Sequence, residues 1–221
     1  MPAAGQCPPP LELSDHVCDA PARRVLVPAA SILLGPSDWE AEGRVIARTI
    51  SPQAFRIDAF EVTSGRFGLS RGDTLRAASG MTRDEAAAFC ARDNGRLPSE
   101  DEWIAAAASG ASPPRRYPWG DTGAVCRRAA WALEAGPCAR GADGPDTVGA
   151  HADGDSALGL HDLAGNVAEW VAPSSQEPGV GVAMGGSWRS TLAAELRIWA
   201  RLELEPGIRD PRIGVRCVYP P

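Results

Sequence analysis

The stretch Gly159-Leu-His-Asp-Leu-Ala-Gly-Asn-Val-Ala-Glu-Trp170 decides the reading of this chain. Apolar anchors (Leu160, Leu163, Val167, Trp170) alternate irregularly with Asp162, Asn166 and Glu169, a mix that no regular strand or helix requires. The two carboxylates flank Gly165, whose missing Cβ permits a tight backbone turn. Asp162 and Glu169, with turned-in carbonyls of Gly165 and Val167, would form a small all-oxygen pocket of the kind Ca²⁺ prefers. The competing reading is a buried turn anchored by Trp170, and spacing alone favours that one, because a lone acidic loop is a weak motif.

Outward from this stretch, the composition bounds the function. A chain of 221 residues makes one large domain or two small ones and buries enough surface to fold without a staple. The formal charge of −6 gives no footprint for nucleic acid or an anionic membrane surface. All 22 basic residues are arginine, which excludes lysine Schiff-base chemistry. No apolar run approaches the ~20 residues of a membrane span. Six cysteines stand at 7, 18, 90, 126, 138 and 217, with no Cys-x-x-Cys pair, which argues against zinc ribbons and thioredoxin-like chemistry. An even count at wide spacing suits disulfides and an oxidising compartment. Met1-Pro-Ala-Ala-Gly-Gln-Cys7 has no apolar signal region, so the expectation is a periplasmic or secreted protein whose signal sequence is absent from this sequence.

The local signals are few. Residues 1–24 are rich in Pro and Ala and read as an irregular arm, which a Cys7–Cys18 bridge would close. Val25 to Leu34, with Pro28 inside it, reads as an edge strand ending at Gly35-Pro36. Ala54 to Thr63 alternates as a half-buried strand, and residues 64–80 read as loop. Thr82-Arg-Asp-Glu85 and Ser99-Glu-Asp-Glu102 are capping boxes that open two helices, stopped at Asn94-Gly95 and Ser109-Gly110. After Pro113 the chain is mostly turn chemistry. The spans 183–188 and 213–218 read as short strands.

Several of these pieces recur together, in order: Phe60-Glu-Val-Thr63, Gly95-Arg-Leu-Pro-Ser-Glu-Asp-Glu-Trp103, Tyr117-Pro-Trp-Gly120, Gly159 to Trp170, Gly185-Gly-Ser-Trp188, Arg197 to Arg201, and Gly214-Val-Arg-Cys217. The chain in this way resembles the formylglycine-generating enzyme (sulfatase-modifying factor) family from about Val25 to Cys217. The resemblance implies an α+β fold, the loop-rich C-type-lectin-like fold in its formylglycine-generating-enzyme variant, with short helices packed on small antiparallel sheets over residues 25–221. It implies a Cys90–Cys217 disulfide, for which the chain-entropy model gives about 4–5 kcal/mol. It also implies a structural Ca²⁺ held by Asp162, Gly165, Val167 and Glu169. A second family calcium site needs an Asn where this chain has Ala129, so its loss is expected. Cys126 and Cys138 flank that segment, and a bond between them would crosslink it instead.

The departure concerns chemistry. Oxidase members of the family hold copper(I) through two cysteines after the Gly-Gly-Ser motif, as a soft ion requires. By register those positions are Ser190 and Glu195 here, so no copper is expected. The ergothioneine sulfoxide synthases of the family use iron held by histidines of a separate helical domain, and the scattered His16, His151 and His161 do not reproduce that set. His161 reads as a turn residue rather than an acid–base group, and Glu100 to Glu102 as helix-capping acids. Trp188, Arg189, Ser190 and Glu195 mark a candidate ligand cleft. Arg197 and Arg201 fit equally well as binding residues or as internal anchors. The expectation is an extracytoplasmic, non-oxidase binding or structural module with an unidentified protein or peptide partner. The alternatives are an enzyme or accessory subunit with different chemistry in the same cleft and, less favoured, a true oxidase.

Overall fold

The structure, a computed structural model, describes residues 7, 11–14, 17–20, 22–36, 43, 45–69, 73–173 and 179–221. Its helices begin where the capping chemistry places them. In α2 (Arg83–Ala91) the Thr82 hydroxyl accepts from the Glu85 N–H at 3.2 Å, and the Glu85 carboxylate accepts from the Thr82 N–H at 3.0 Å. In α3 (Glu100–Ala108) Ser99 and Glu102 reciprocate at 3.1 and 2.8 Å. These pairs satisfy amides that a helix N-terminus leaves orphaned. Left-handed residues close both helices, Asn94 at φ 55° and Ser109 at φ 51°. Helix α3 is buried all round from Trp103 to Ala108, and its run of alanines lets neighbouring segments approach closely. A short α1 (Ser64–Phe67) sits inside the span read as loop, started by Thr63, whose hydroxyl accepts from the Arg66 N–H.

The strands are short and fall into small sheets. Residues read as an irregular arm contain a hairpin, β1 (Glu12–Ser14) with β2 (Val17–Asp19). Leu11, just before it, is buried against Ala59 and Phe60. The span from Val25 to Leu34 is not one strand. It divides at Pro28, which cannot donate to a ladder, into β3 (Arg24–Val27) and β4 (Ile32–Leu34). Strand β4 pairs with β5 (Arg48–Ile50), and β3 is the edge of a three-stranded antiparallel sheet. The centre of that sheet is β6 (Phe55–Asp58), the only part of 54–63 that stays in a ladder.

The second sheet holds β7 (Ala168–Trp170), β8 (Gly181–Met184), β9 (Arg201–Leu204) and β10 (Ile213–Gly214), in the order β10-β7-β8-β9. Only the β10–β7 pair is parallel. Two residues past Arg216, β11 (Val218–Tyr219) joins β6 in the other sheet. The span 213–218 therefore crosses from one sheet to the other. The fold class is α+β, as expected. The largest apolar cluster lies between α3, the β4–β5 hairpin and β6, and a second lies between α2, β7 and β10. The loop 159–167 runs between them into β7.

Candidate functional site

The decisive loop bends because several of its residues adopt left-handed backbone: Gly159 at φ 73°, Asp162 at 55°, Gly165 at 87° and Asn166 at 51°. Gly165 has no substitute, since a Cβ there would lie 2.5 Å from the Ala130 carbonyl oxygen. The turned backbone hydrogen-bonds to separate segments. The Gly165 N–H donates to Gly185, the Asn166 N–H to Ala130, and the Asn166 carbonyl accepts from the Trp188 N–H. Leu160, Leu163, Val167 and Trp170 are buried, as anchors should be.

Around this loop lies a buried polar cluster of Glu61, Asp162, Asn166, Glu169 and Arg216, with no member more than 6% exposed. The Arg216 guanidinium donates to Glu169 Oε1 at 2.9 and 2.8 Å and to the carbonyls of Asp58, Ala59 and His161 at 3.1, 2.8 and 2.6 Å. Glu169 Oε2 accepts from the Trp103 indole N–H at 2.7 Å. Glu61 accepts from the Asn166 amide at 2.6 Å and from the Val167 N–H at 3.0 Å. Asp162 accepts from the Gly149 N–H.

Three carboxyl groups thus share the field of one guanidinium, and of the three Glu169 alone hydrogen-bonds to it. Burial, then the charges of Asp162 and Glu169, push the Glu61 carboxyl well above its usual range, against the opposing pull of Arg216. Burial also raises Asp162, with the Gly149 N–H opposing. For Arg216 burial acts downward, but Glu169, Glu61 and Asp162 together outweigh it and the guanidinium is held above its ordinary range.

The all-oxygen donor set matches a hard divalent cation in donor type. The predicted ligand set of Asp162, Gly165, Val167 and Glu169 contributes only two side chains. No group of three or more His, Cys, Asp or Glu that could hold a metal exists among the described residues. Both Glu169 oxygens already accept hydrogen bonds. Each carboxylate oxygen has two lone pairs; Arg216 takes both on Oε1 and Trp103 takes one on Oε2, which leaves one on Oε2 for a cation.

The residues of the predicted cleft behave differently from one another. Trp188 is a core side chain with no exposed surface, and its indole N–H donates to the Pro211 carbonyl at 3.1 Å. Arg189 is exposed, lies over the Trp188 ring and pairs with Glu134 at 2.8 Å. Ser190 Oγ accepts from the Ser187 N–H at 3.1 Å, closing a turn. Glu195 Oε2 accepts from the Thr191 and Leu192 N–H groups at 2.9 and 3.1 Å. Arg197 is buried beside the Tyr117 and Trp199 rings, and Arg201 faces Glu100 and Glu203.

The disulfides Cys90–Cys217 and Cys126–Cys138 are formed, spanning 127 and 12 residues. Cys7 is bonded as well, while the side chain of Cys18, its expected partner, lies outside the described residues. His161 is a satisfied turn residue, stacked on Phe60 with Nδ1 2.8 Å from Asp155.

A sequence profile of the sulfatase-modifying factor enzyme 1-like domain matches residues 77–220. The chain belongs to this family. Among its relatives, the inactive C-alpha-formylglycine-generating enzyme 2 of Mus musculus is 34% identical over 143 residues, covering 61% of this chain and 46% of that protein. The hercynine oxygenase of Mycolicibacterium thermoresistibile is 39% identical over 94 residues, 42% of this chain and 20% of that protein. The chain spans less than half the length of these curated relatives. The solved Treponema denticola variable protein 1 superposes with a TM-score of 0.71 at 19% identity, covering 90% of this chain and 95% of that one. At that identity the likeness establishes the fold alone.

Within this family domain, sequence reasoning found the loop but missed Glu61, Trp103 and Arg216 as members of the cluster around it. All three lie inside stretches quoted for the resemblance: Phe60-Glu-Val-Thr63, the end of the Gly95–Trp103 run, and Gly214-Val-Arg-Cys217. A charged residue inside an apolar strand motif was the available signal, because burying a charge requires a partner.

Proposed function

We propose that this chain is a non-oxidising member of its family that serves as a binding or structural module outside the cytoplasm. The observation that carries the reading is the chemistry at the two positions where family oxidases hold copper(I). Ser190 and Glu195 both spend side-chain oxygens on neighbouring amides, and no described cysteine is free. Neither side chain offers the thiolate that a soft ion wants. The inactive relative from mouse supports the same reading. The disulfides favour an oxidising compartment. The test is direct: incubate the purified protein with a sulfatase-type cysteine peptide, copper(I), oxygen and a reductant, and follow aldehyde formation by mass spectrometry. No aldehyde above a protein-free control is expected, and turnover would overturn the reading.

Calcium belongs to the same proposal as a structural ion. Asp162 and Glu169 would supply carboxylate oxygens, and Gly165 and Val167 carbonyls. A ligand that binds only the folded state at about a hundred times its Kd adds about 2.7 kcal/mol. Thermal melts in Ca²⁺ should therefore exceed those in EGTA by several degrees, and Asp162→Ala should abolish the difference. Superimposable melts would remove calcium from the proposal and leave the non-oxidase reading standing.

A further inference from the structure

The β4–β5 hairpin and the loop 113–121 enclose an open groove of about 720 Å³, within the range of ligand sites and lined by no residue of the Trp188–Glu195 segment. One wall is apolar, formed by Leu33, Leu34, Pro36 and Ala47. Leu33 is 55% exposed at its mouth, and Ile46, next to Ala47, is 84% exposed. The opposite wall is Pro113 and Pro114 followed by Arg115 and Arg116.

The walls are held in place independently of any occupant. The Leu33 N–H donates to Ser112 Oγ at 3.0 Å. The Arg116 N–H donates to Asp121 Oδ1 at 3.0 Å, and the Arg116 carbonyl accepts from the Ile198 N–H at 3.0 Å. Tyr117 and Gly120 close the turn between them. Gly120, at φ 124°, has no side chain, and a Cβ there would come 3.2 Å from Arg115 Nη1, so the guanidinium rests on bare backbone.

Two features define what would fit. Pro36 on one wall and Pro113 and Pro114 on the other have no N–H, so at these residues the backbone offers a peptide acceptors and no donors. Arg115 is exposed and makes no ion pair or hydrogen bond among the described residues, in a chain whose formal charge is −6. Asp121, the acidic residue of the lining, is committed through Oδ1 to the Arg116 amide. We propose that this groove is a docking site for an extended peptide segment of a partner protein in which an apolar side chain stands next to an acidic one. The apolar residue packs between Leu33 and the prolines, and the carboxylate pairs with Arg115. The proposal rests on reading the chain as a binding module and names the class of its partner.

The test pans a random heptapeptide display library on the full chain in calcium-containing buffer, with parallel panning on Arg115→Glu and on Leu33→Asp. Both changes are at exposed positions, and circular dichroism checks that each variant is folded. Enrichment of Asp or Glu beside Leu, Ile, Phe or Trp is expected. A synthetic peptide of that consensus should bind at least tenfold more weakly to Arg115→Glu and to Leu33→Asp, and its Lys-for-Glu counterpart should not bind. Equal capture by all three proteins, enrichment of basic peptides, or no enrichment would each overturn the proposal. Oxidation of a cysteine peptide in the copper assay would instead overturn the non-oxidase reading, so the two failures are distinguishable.

Discussion

Replacing Arg216 by Met keeps most of the side-chain volume and removes the charge and every donor. Arg216 is 0% exposed and its Glu169 partner 1%, so neither group can turn to water. Losing one member of a buried, hydrogen-bonded ion pair costs about 3–5 kcal/mol, mainly because the other charge is left without compensation. Here Glu169 would remain beside Glu61 and Asp162, and the carbonyls of Asp58, Ala59 and His161 would each lose a donor. Those carbonyls place the cost at the upper end, about 5 kcal/mol, a large share of the roughly 5–15 kcal/mol that stabilises a domain. For a chain of this size each kcal/mol moves Tm by about 2–4 °C, so a fall of about 10–20 °C is expected. Arg216→Lys retains the charge but not the planar fork, and should fall between the two. The assay is urea unfolding followed by tryptophan fluorescence, with the disulfides intact. An Arg216→Met midpoint corresponding to less than about 1 kcal/mol of loss would refute the reasoning, since it would mean the cluster is solvated or already neutral.

Breaking Cys90–Cys217 by a double Ala substitution frees a loop of 127 residues, for which the chain-entropy model gives about 5 kcal/mol, against about 3 kcal/mol for the 12-residue Cys126–Cys138 loop. Matched denaturation curves should rank the two variants in that order. His151 lies 2.9 Å from the Cys126 carbonyl and 3.1 Å from an Asp146 oxygen, both acceptors, so the doubly protonated ring satisfies both. Burial acts to lower His151, but Asp146 together with the charge of Asp162 prevails and raises it above 6.5, while Asp146 drops from 3.8 to about 2 despite its burial, through His151 and Arg140. The His contribution is full below pH 6.5 and lost as pH rises through its folded value. The Asp contribution is full above pH 3.8 and lost as pH falls toward 2. Their joint contribution therefore peaks between those limits, and the stability gap between wild type and His151→Ala should narrow on both sides of that window. Gly165→Ala combines a left-handed φ with a Cβ 2.5 Å from the Ala130 oxygen, and should cost several times the ~1 kcal/mol of an ordinary glycine replacement, read from its urea midpoint.

Features written in neighbouring residues were legible in advance. Each capping box is closed within four residues, so Thr82 and Ser99 announced their helices without help from the fold. The left-handed closures at Asn94 and Ser109 stand next to Gly95 and Gly110, the turn signals that marked them. The strands were less legible because their ends depend on distant partners. Pro28 read as the mark of a single edge strand, and only the pairing of β3 with β6 and β4 with β5 shows that the two halves serve different sheets. The cluster was least legible. Glu61 meets Asn166 across 105 residues, and Arg216 meets Glu169 across 47, so their roles emerge only once the chain has closed. The predicted cleft joined residues adjacent in sequence, yet Trp188 turns into the core while Arg189 turns out to solvent. The groove at Arg115 joins segments some 80 residues apart, which no single stretch announced.

The crossing of residues 213–219 between the two sheets bears on the order of events during synthesis. A nascent copy that has reached only Pro211 lacks the strand beside β7, the strand beside β6, the thiol that locks α2, and the guanidinium that gathers three carbonyls. Until those residues emerge, Glu61 and Glu169 lack the guanidinium that offsets them and must stay hydrated. Closure of this domain is consequently a late, all-at-once event rather than a vectorial one, and ribosomes stalled just short of Ile213 should display a protease-sensitive chain.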